Sequence, residues 1–283
     1  MNTSIAYETS QSRQRTVMGT KTLWAFLALT FGLSWVPMSL FMLFADQFTA
    51  LFGEMSSTNP VFLLAVYAPG LSGILLVWRH YGLKGLGSFF RRLTLWRAPI
   101  QWWLFLLLGI PVIVYTAAAI MGTINDPFPF LPWYMVFPAL VQSLLLGPMG
   151  EEFGWRGLAL PLLQRRFAPF WASLILGVVW AVWHAPAFLM SGTPQSAWSF
   201  GPFFLGLLAV AVILTPLFNA SRGSLLIAIL YHIQIMNPIF PDAQPWDSFL
   251  FAMVAVVIVF INRRQMFQRK DAVTDVLMPE PSD

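Results

Sequence analysis

Eight stretches of the chain are apolar for long enough to be read as helices within a bilayer. They fall at Leu23–Phe44, Val61–Trp78, Gln101–Met121, Pro132–Gly150, Pro169–Met190, Pro202–Ala220, Ser224–Ile235 and Ser248–Ile261. Most are near the roughly 17–25 residues that cross a hydrocarbon core of about 30 Å as helix. The seventh is short for a full span, and its ends are the least sharply drawn. Residues 1–21 are polar with no apolar core, so no cleavable signal is expected, and the first apolar run is too long for a signal h-region. No soluble domain, internal repeat or low-complexity tract interrupts the pattern. The expectation is an all-α, polytopic membrane helix bundle of about eight transmembrane helices. A bundle domain over 23–262 would lie between cytoplasmic tails, 1–22 and 263–283, expected to be mobile and unimportant to chemistry.

Composition sharpens this picture. The chain is 58% hydrophobic and 10% charged, with mean hydropathy +0.69. Soluble domains carry about 25% charged residues, so a wetted surface cannot be built from this inventory. There are no cysteines, which removes disulfides, thiol nucleophiles and cysteine metal sites together. The net charge of +4 suits nucleic acid less well than membrane, because the basic residues are segregated. They occupy the N-terminal tail (Arg13, Arg15, Lys21), the second connection (Arg79, Lys84, Arg91, Arg92, Arg97), the fourth (Arg156, Arg165, Arg166), the sixth (Arg222) and the last tail (Arg263, Arg264, Arg269, Lys270). The alternate connections hold only acids: Asp46, Glu54, Asp126, Asp242 and Asp247. Basic residues concentrate on the cytoplasmic side, so both termini are expected there, in a plasma membrane, and the span count is even. The segment 82–97 alternates basic and apolar residues and is expected along the inner surface.

Ionisable side chains at membrane depth cost several kcal/mol and point to function. Three clusters qualify. In GPMGEEFGWRG (147–157), Glu151 and Glu152 point about 100° apart on a helix and cannot share one partner. Glu152 and Arg156 are spaced for an ion pair, which makes Glu152 the structural carboxylate and leaves Glu151 free as a general base. Equally, these charges suit a helix end among cytoplasmic headgroups. In WAVWHAPAF (180–188), His184 follows Trp180 by one turn and precedes Pro186; alone, it reads as a hydrogen-bonded core histidine as readily as a catalyst. In GSLLIAILYHIQIMNP (223–238), His232 lies about eight residues, roughly 12 Å, into its helix. Asn237 before Pro238 suits either an oxyanion donor or a helix terminator. Together the clusters suggest a water shared by a carboxylate and an imidazole. No Ser-His-Asp set or HExxH motif is apparent.

In this order, Glu151-Glu152-x-x-x-Arg156, an aromatic with His184 four residues on, and His232 followed by Asn resemble the CPBP family of type II CAAX prenyl proteases and bacteriocin-processing or immunity (Abi) proteins. The flanks GLKGL…RRLTLWRAPI and PLFNASRGSLLIAILYH match as well, so the resemblance covers about residues 60–240. It implies an intramembrane, glutamate-dependent endopeptidase acting on a membrane-associated peptide or protein in the lipid bilayer. Glu151 and His184 would activate water, His232 and Asn237 would support the oxyanion, and Glu152 and Arg156 would support the site. Such proteins are often named metalloproteases. Here no cofactor is required by the chemistry, although zinc is possible, with His184, His232 and Glu151 as its ligands. The alternatives are a proton-coupled transporter, or a catalytically silent scaffold or immunity protein. Two departures stand out. Trp180 occupies a position usually held by Phe. Met236 stands four residues after His232, where the family places Asn, leaving Asn237 about 140° away on a regular helix. Depth also conflicts. The apolar run ends put Glu151 about 28 Å from the outer face and His184 about 22 Å above the inner one, some 20 Å apart. The constellation forms only if the glutamate helix protrudes outward or the His184 helix begins well inside the cytoplasm.

Overall fold

A computed structural model describes residues 18–278, all helix, turn and extended connection with no strand among them. The outer parts of both tails therefore lie outside the described residues. Four helices are long and apolar enough to cross a membrane: Thr22–Leu43, Pro60–Thr94, Ile100–Met121 and Phe200–Ala220. Three shorter apolar helices follow the expected order at Pro169–Trp183, Leu225–Ile235 and Trp246–Ile261. The chain is a polytopic helix bundle. Thr22–Leu43 packs on Pro60–Phe90, which packs on Pro148–Gly154; Pro169–Trp183 and Trp246–Ile261 both pack on Phe200–Ala220.

The run Pro132–Gly150 is not the single helix its apolarity suggested. A helix at Val136–Leu145, with no buried residue, stops at Leu146, and Gly147 bends the backbone (φ −147°, ψ −87°). A new helix starts with Pro148 at its first turn, where a missing N–H costs nothing. It then continues to Gln164, and every residue from 150 to 164 is buried. This helix is a central pillar, and Arg156 stands inside it at 1% exposure rather than in a cytoplasmic connection. Small residues let the pillar lie against its neighbour. A Cβ on Gly150 would come within 2.7 Å of the Val66 carbonyl oxygen.

Prolines shape the pillar further. Residues Trp155–Ala159 are wound as a π turn, two residues before Pro161, and Phe105–Gly109 do the same before Pro111. A proline donates no hydrogen bond to the carbonyl four residues earlier. For Pro161 that carbonyl belongs to Gly157, and Arg92 Nη1 takes it at 2.8 Å. The same guanidinium donates to Gly223 O (2.8 Å), Val276 O (2.9 Å) and Arg156 O (3.4 Å). Arg92 belongs to the expected surface segment. The helix Pro60–Phe90 is redirected at Gly82 (φ 65°), and Lys84, Arg91 and Arg97 are exposed while Phe89 and Arg92 turn inward.

Val276 belongs to the C-terminal tail, which is not free. Residues 269–278 lie as a strap under the bundle. Gln164 donates to Val273 O at 2.8 Å, Arg165 to Thr274 O at 2.8 Å, and Val273 N–H to Asn219 Oδ1 at 3.1 Å. Val276 is 1% exposed. Polarity concealed this: a strap held by backbone carbonyls needs no apolar run.

Replacing Arg92 with Met keeps bulk but leaves Gly157, Gly223 and Val276 carbonyls without this donor. A buried polar group left unpaired costs about 1–3 kcal/mol. Arg92→Met is expected to melt several degrees lower in detergent than the parent, and deletion of residues 271–283 to melt lower by a smaller margin. An unchanged melting temperature for Arg92→Met would show that the fork holds nothing.

Candidate active site

The depth conflict disappears once heights are taken from the turn that joins the pillar to the next helix. Glu151 stands about 13 residues, roughly 20 Å of helix, before Gln164, and His184 about 15 residues, roughly 22 Å, after Pro169. The two helices are antiparallel around the 165–168 connection, so both side chains arrive at one level. The apolar runs misplaced Glu151 because they ended its span where the pillar begins.

Trp180 sits between them. Its indole Nε1–H donates to Glu151 Oε2 at 2.5 Å, and its backbone carbonyl accepts from His184 Nδ1 at 2.8 Å. The Arg156 guanidinium lies 4.2 Å from the centre of its ring, and the His232 ring meets it edge-on at 5.3 Å. One residue thus touches Glu151, His184, Arg156 and His232. The sequence offered a signal for this, an aromatic one turn before His184, but its indole N–H had no evident use. A Phe here would supply the ring and the carbonyl without the donor.

The second carboxylate takes the opposite role. Glu152 is fully buried, and its Oε1 accepts from Arg156 Nη1 and from His232 Nδ1, each at 2.8 Å. The expected ion pair is present, and the same oxygen also orients an imidazole from a helix eighty residues later. That helix, Leu225–Ile235, is started by Ser224, whose Oγ accepts from Ile227 N–H at 3.0 Å.

Glu151, Trp180, His184 and His232 line one cavity of about 640 Å³. Because Nδ1 of each histidine is already engaged, the Nε2 edge of each is left for the cavity. Glu151 likewise keeps one oxygen beyond the one held by Trp180. Asn237 lines the same cavity, but beyond the end of its helix. Its amide donates to Gln234 Oε1 at 3.2 Å and its oxygen accepts from Ile239 N–H at 3.2 Å, so it ties down the turn at Pro238. Met236 occupies the spacing at which an asparagine would follow His232 on the helix, and it too lines the cavity. Gln142 and Ser143, on the half-helix Val136–Leu145, face the cavity as well. Nothing in their spacing marked them.

Among the described residues no three His, Asp or Glu side chains gather at metal-ligand spacing.

Known proteins match the same region. Residues 131–236 match the family described as type II CAAX prenyl endopeptidase, Rce1-like. Over 144 residues the chain is 31% identical to CAAX prenyl protease 2 of Methanococcus maripaludis, a match covering 47% of this chain and 53% of that protein. The chain thus aligns with about half the length of this relative. The family match takes in Glu151, Glu152, Arg156, His184 and His232 and stops one residue short of Asn237.

Removing one partner of a buried ion pair costs about 3–5 kcal/mol, because the other charge stays behind. Arg156→Ala is therefore expected to give a poor yield of folded protein and a much lower melting temperature in detergent. A variant that purifies and melts like the parent would show that Glu152 does not depend on Arg156.

Proposed function

We propose that this chain is a member of the CPBP family and an intramembrane endopeptidase acting on a membrane-associated peptide or protein. The observation that carries the reading is the arrival of Glu151, His184 and His232 on one cavity wall around Trp180. In this reading the free oxygen of Glu151 and Nε2 of His184 hold a water between them. Glu151 accepts a proton from the water as its oxygen attacks the scissile carbonyl carbon. The carbonyl oxygen becomes an oxyanion, and a proton on His232 Nε2 donates to it, with Glu152 holding the other ring nitrogen. The tetrahedral carbon then expels the amine, and the proton taken by Glu151 passes to the leaving nitrogen. Asn237 reaches the oxyanion once its amide swings away from Gln234; until then it shapes the wall. Glu152 and Arg156 fix the pillar and the His232 ring and take no proton.

No cofactor enters this scheme. The activity of purified protein is expected to survive removal of divalent ions by a chelator, measured as cleavage of a membrane peptide. Loss of activity that zinc alone restores would replace this mechanism with a metal-dependent one.

The decisive variant is Glu151→Gln, which keeps volume and the Trp180 contact but removes the basic oxygen. Loss of a general base typically costs about a hundredfold or more in rate. The variant is expected to fold like the parent and to cleave at no more than about one hundredth of its rate. Near-full turnover would remove Glu151 from the mechanism.

A further inference from the structure

Trp180 is placed by its neighbours before it meets the site. On one face of its helix, Gly177 lets the backbone lie close to Phe200–Ala220; a Cβ there would come within 3.1 Å of Leu208 Cα. On another face, Trp183 Nε1–H donates to Ser34 Oγ at 2.9 Å, and the Trp183 carbonyl accepts from Trp35 Nε1–H at 3.1 Å. Both partners belong to Thr22–Leu43. The height and rotation of the Trp180 helix are therefore fixed, and Trp180 itself is 2% exposed. The Arg156 guanidinium over one face of the ring, tied in turn to Glu152, holds the plane of the indole.

A tryptophan that merely filled space would need the ring and no more. Here the indole N–H is aimed at Glu151 Oε2, and among the described residues no other side chain donates to that carboxylate. Arg156 and His232, which could otherwise do so, are both taken by Glu152. The two oxygens of a carboxylate are equivalent until a donor selects one. With Oε2 held, the other oxygen has one direction, toward the cavity. The same residue sets the imidazole. A carbonyl can only accept, so His184 Nδ1 carries the proton it gives to Trp180 O, and the neutral ring presents Nε2 as an acceptor. A water between them donates one hydrogen to Glu151 and the other to His184 Nε2, which turns its lone pair away from both.

The geometry points to Trp180 as a positioning residue: its indole N–H fixes the rotation of the Glu151 carboxylate so that one oxygen faces the water, and the rate of cleavage depends on that hydrogen bond. The inference rests on the endopeptidase reading. In this scheme the indole acts through Glu151 and takes no proton. Misplacing a reacting group by about 1 Å costs on the order of a hundredfold in rate, and a carboxylate free to rotate is misplaced most of the time.

Trp180→benzothienylalanine puts sulfur in place of the indole N–H and keeps the shape of the ring, its packing and the Arg156 contact. Trp180→Phe removes the donor together with part of the ring. The sulfur variant is expected to melt like the parent, to keep its KM, and to lose about ten- to a hundredfold in kcat on a membrane peptide. The Phe variant should lose at least as much. Combined with Glu151→Gln, neither should lower the residual rate further, because nothing is left for the donor to position. A purely structural tryptophan would instead lower the melting temperature and cost its factor again in the double variant. The contact also has a readout of its own. The indole N–H resonance of Trp180 in isotope-labelled protein, identified by its loss in Trp180→Phe, is expected to move upfield in Glu151→Ala. A parent kcat in the sulfur variant, a further loss in the double variant, or an unmoved resonance overturns the proposal, and an inactive Glu151→Gln beside any of these leaves the endopeptidase reading standing. Near-full turnover of Glu151→Gln defeats the reading and the proposal together.

Discussion

A carboxylate with no exposure, inside a helix bundle made to sit in hydrocarbon, is tolerable only if its charge is met at once. Glu152 is met twice, by Arg156 from its own helix and by His232 from a helix far along the chain. Much else depends on this contact. The pillar must run straight through the protein to carry Arg156 one turn below Glu152, and the His232 helix must start at a fixed height to bring Nδ1 within 2.8 Å. A buried pair of this kind is weak evidence for net stability, because desolvation offsets much of the attraction. Its larger effect is to fix register. With Glu152 spoken for, the neighbouring carboxylate faces another side of the helix and is free to meet Trp180.

The chemistry was more legible in the sequence than the geometry. Apolar runs located the helices because a bilayer leaves no other way to satisfy the backbone. The spacing of Glu152 and Arg156 foretold their pair because it is set by helical pitch alone. The 132–150 run failed as a helix because hydropathy cannot see a bend: Gly147 is as apolar as its neighbours, and the chain stays buried through Gln164 despite Arg156. Trp180 was visible as an aromatic, but its hydrogen bond to Glu151 joins residues 29 apart through a turn whose height the apolar pattern misplaced. The C-terminal strap was illegible for a plainer reason. Its bonds go to and from backbone groups and polar side chains, which any sequence offers.

Two irregularities in the pillar belong to one physical chain of cause. Pro161 withholds a hydrogen bond, the helix widens into a π turn, and the Gly157 carbonyl is released toward Arg92. Such turns are frequent at functional sites, where a displaced carbonyl or side chain is put to use. In this protein the freed carbonyl is part of the anchorage at the basic end of the bundle.

The strap also carries a consequence for biogenesis. Membrane helices are delivered in order from the ribosome, and residues 269–278 emerge after every helix whose end they bind. Until then Arg92 lacks the Val276 carbonyl, and Gln164 and Asn219 lack Val273. The clasp beneath the pillar is therefore completed only when the Trp246–Ile261 helix is already in place. A chain interrupted in synthesis before that point holds every residue of the candidate site, yet lacks the fastening that joins the ends of their helices.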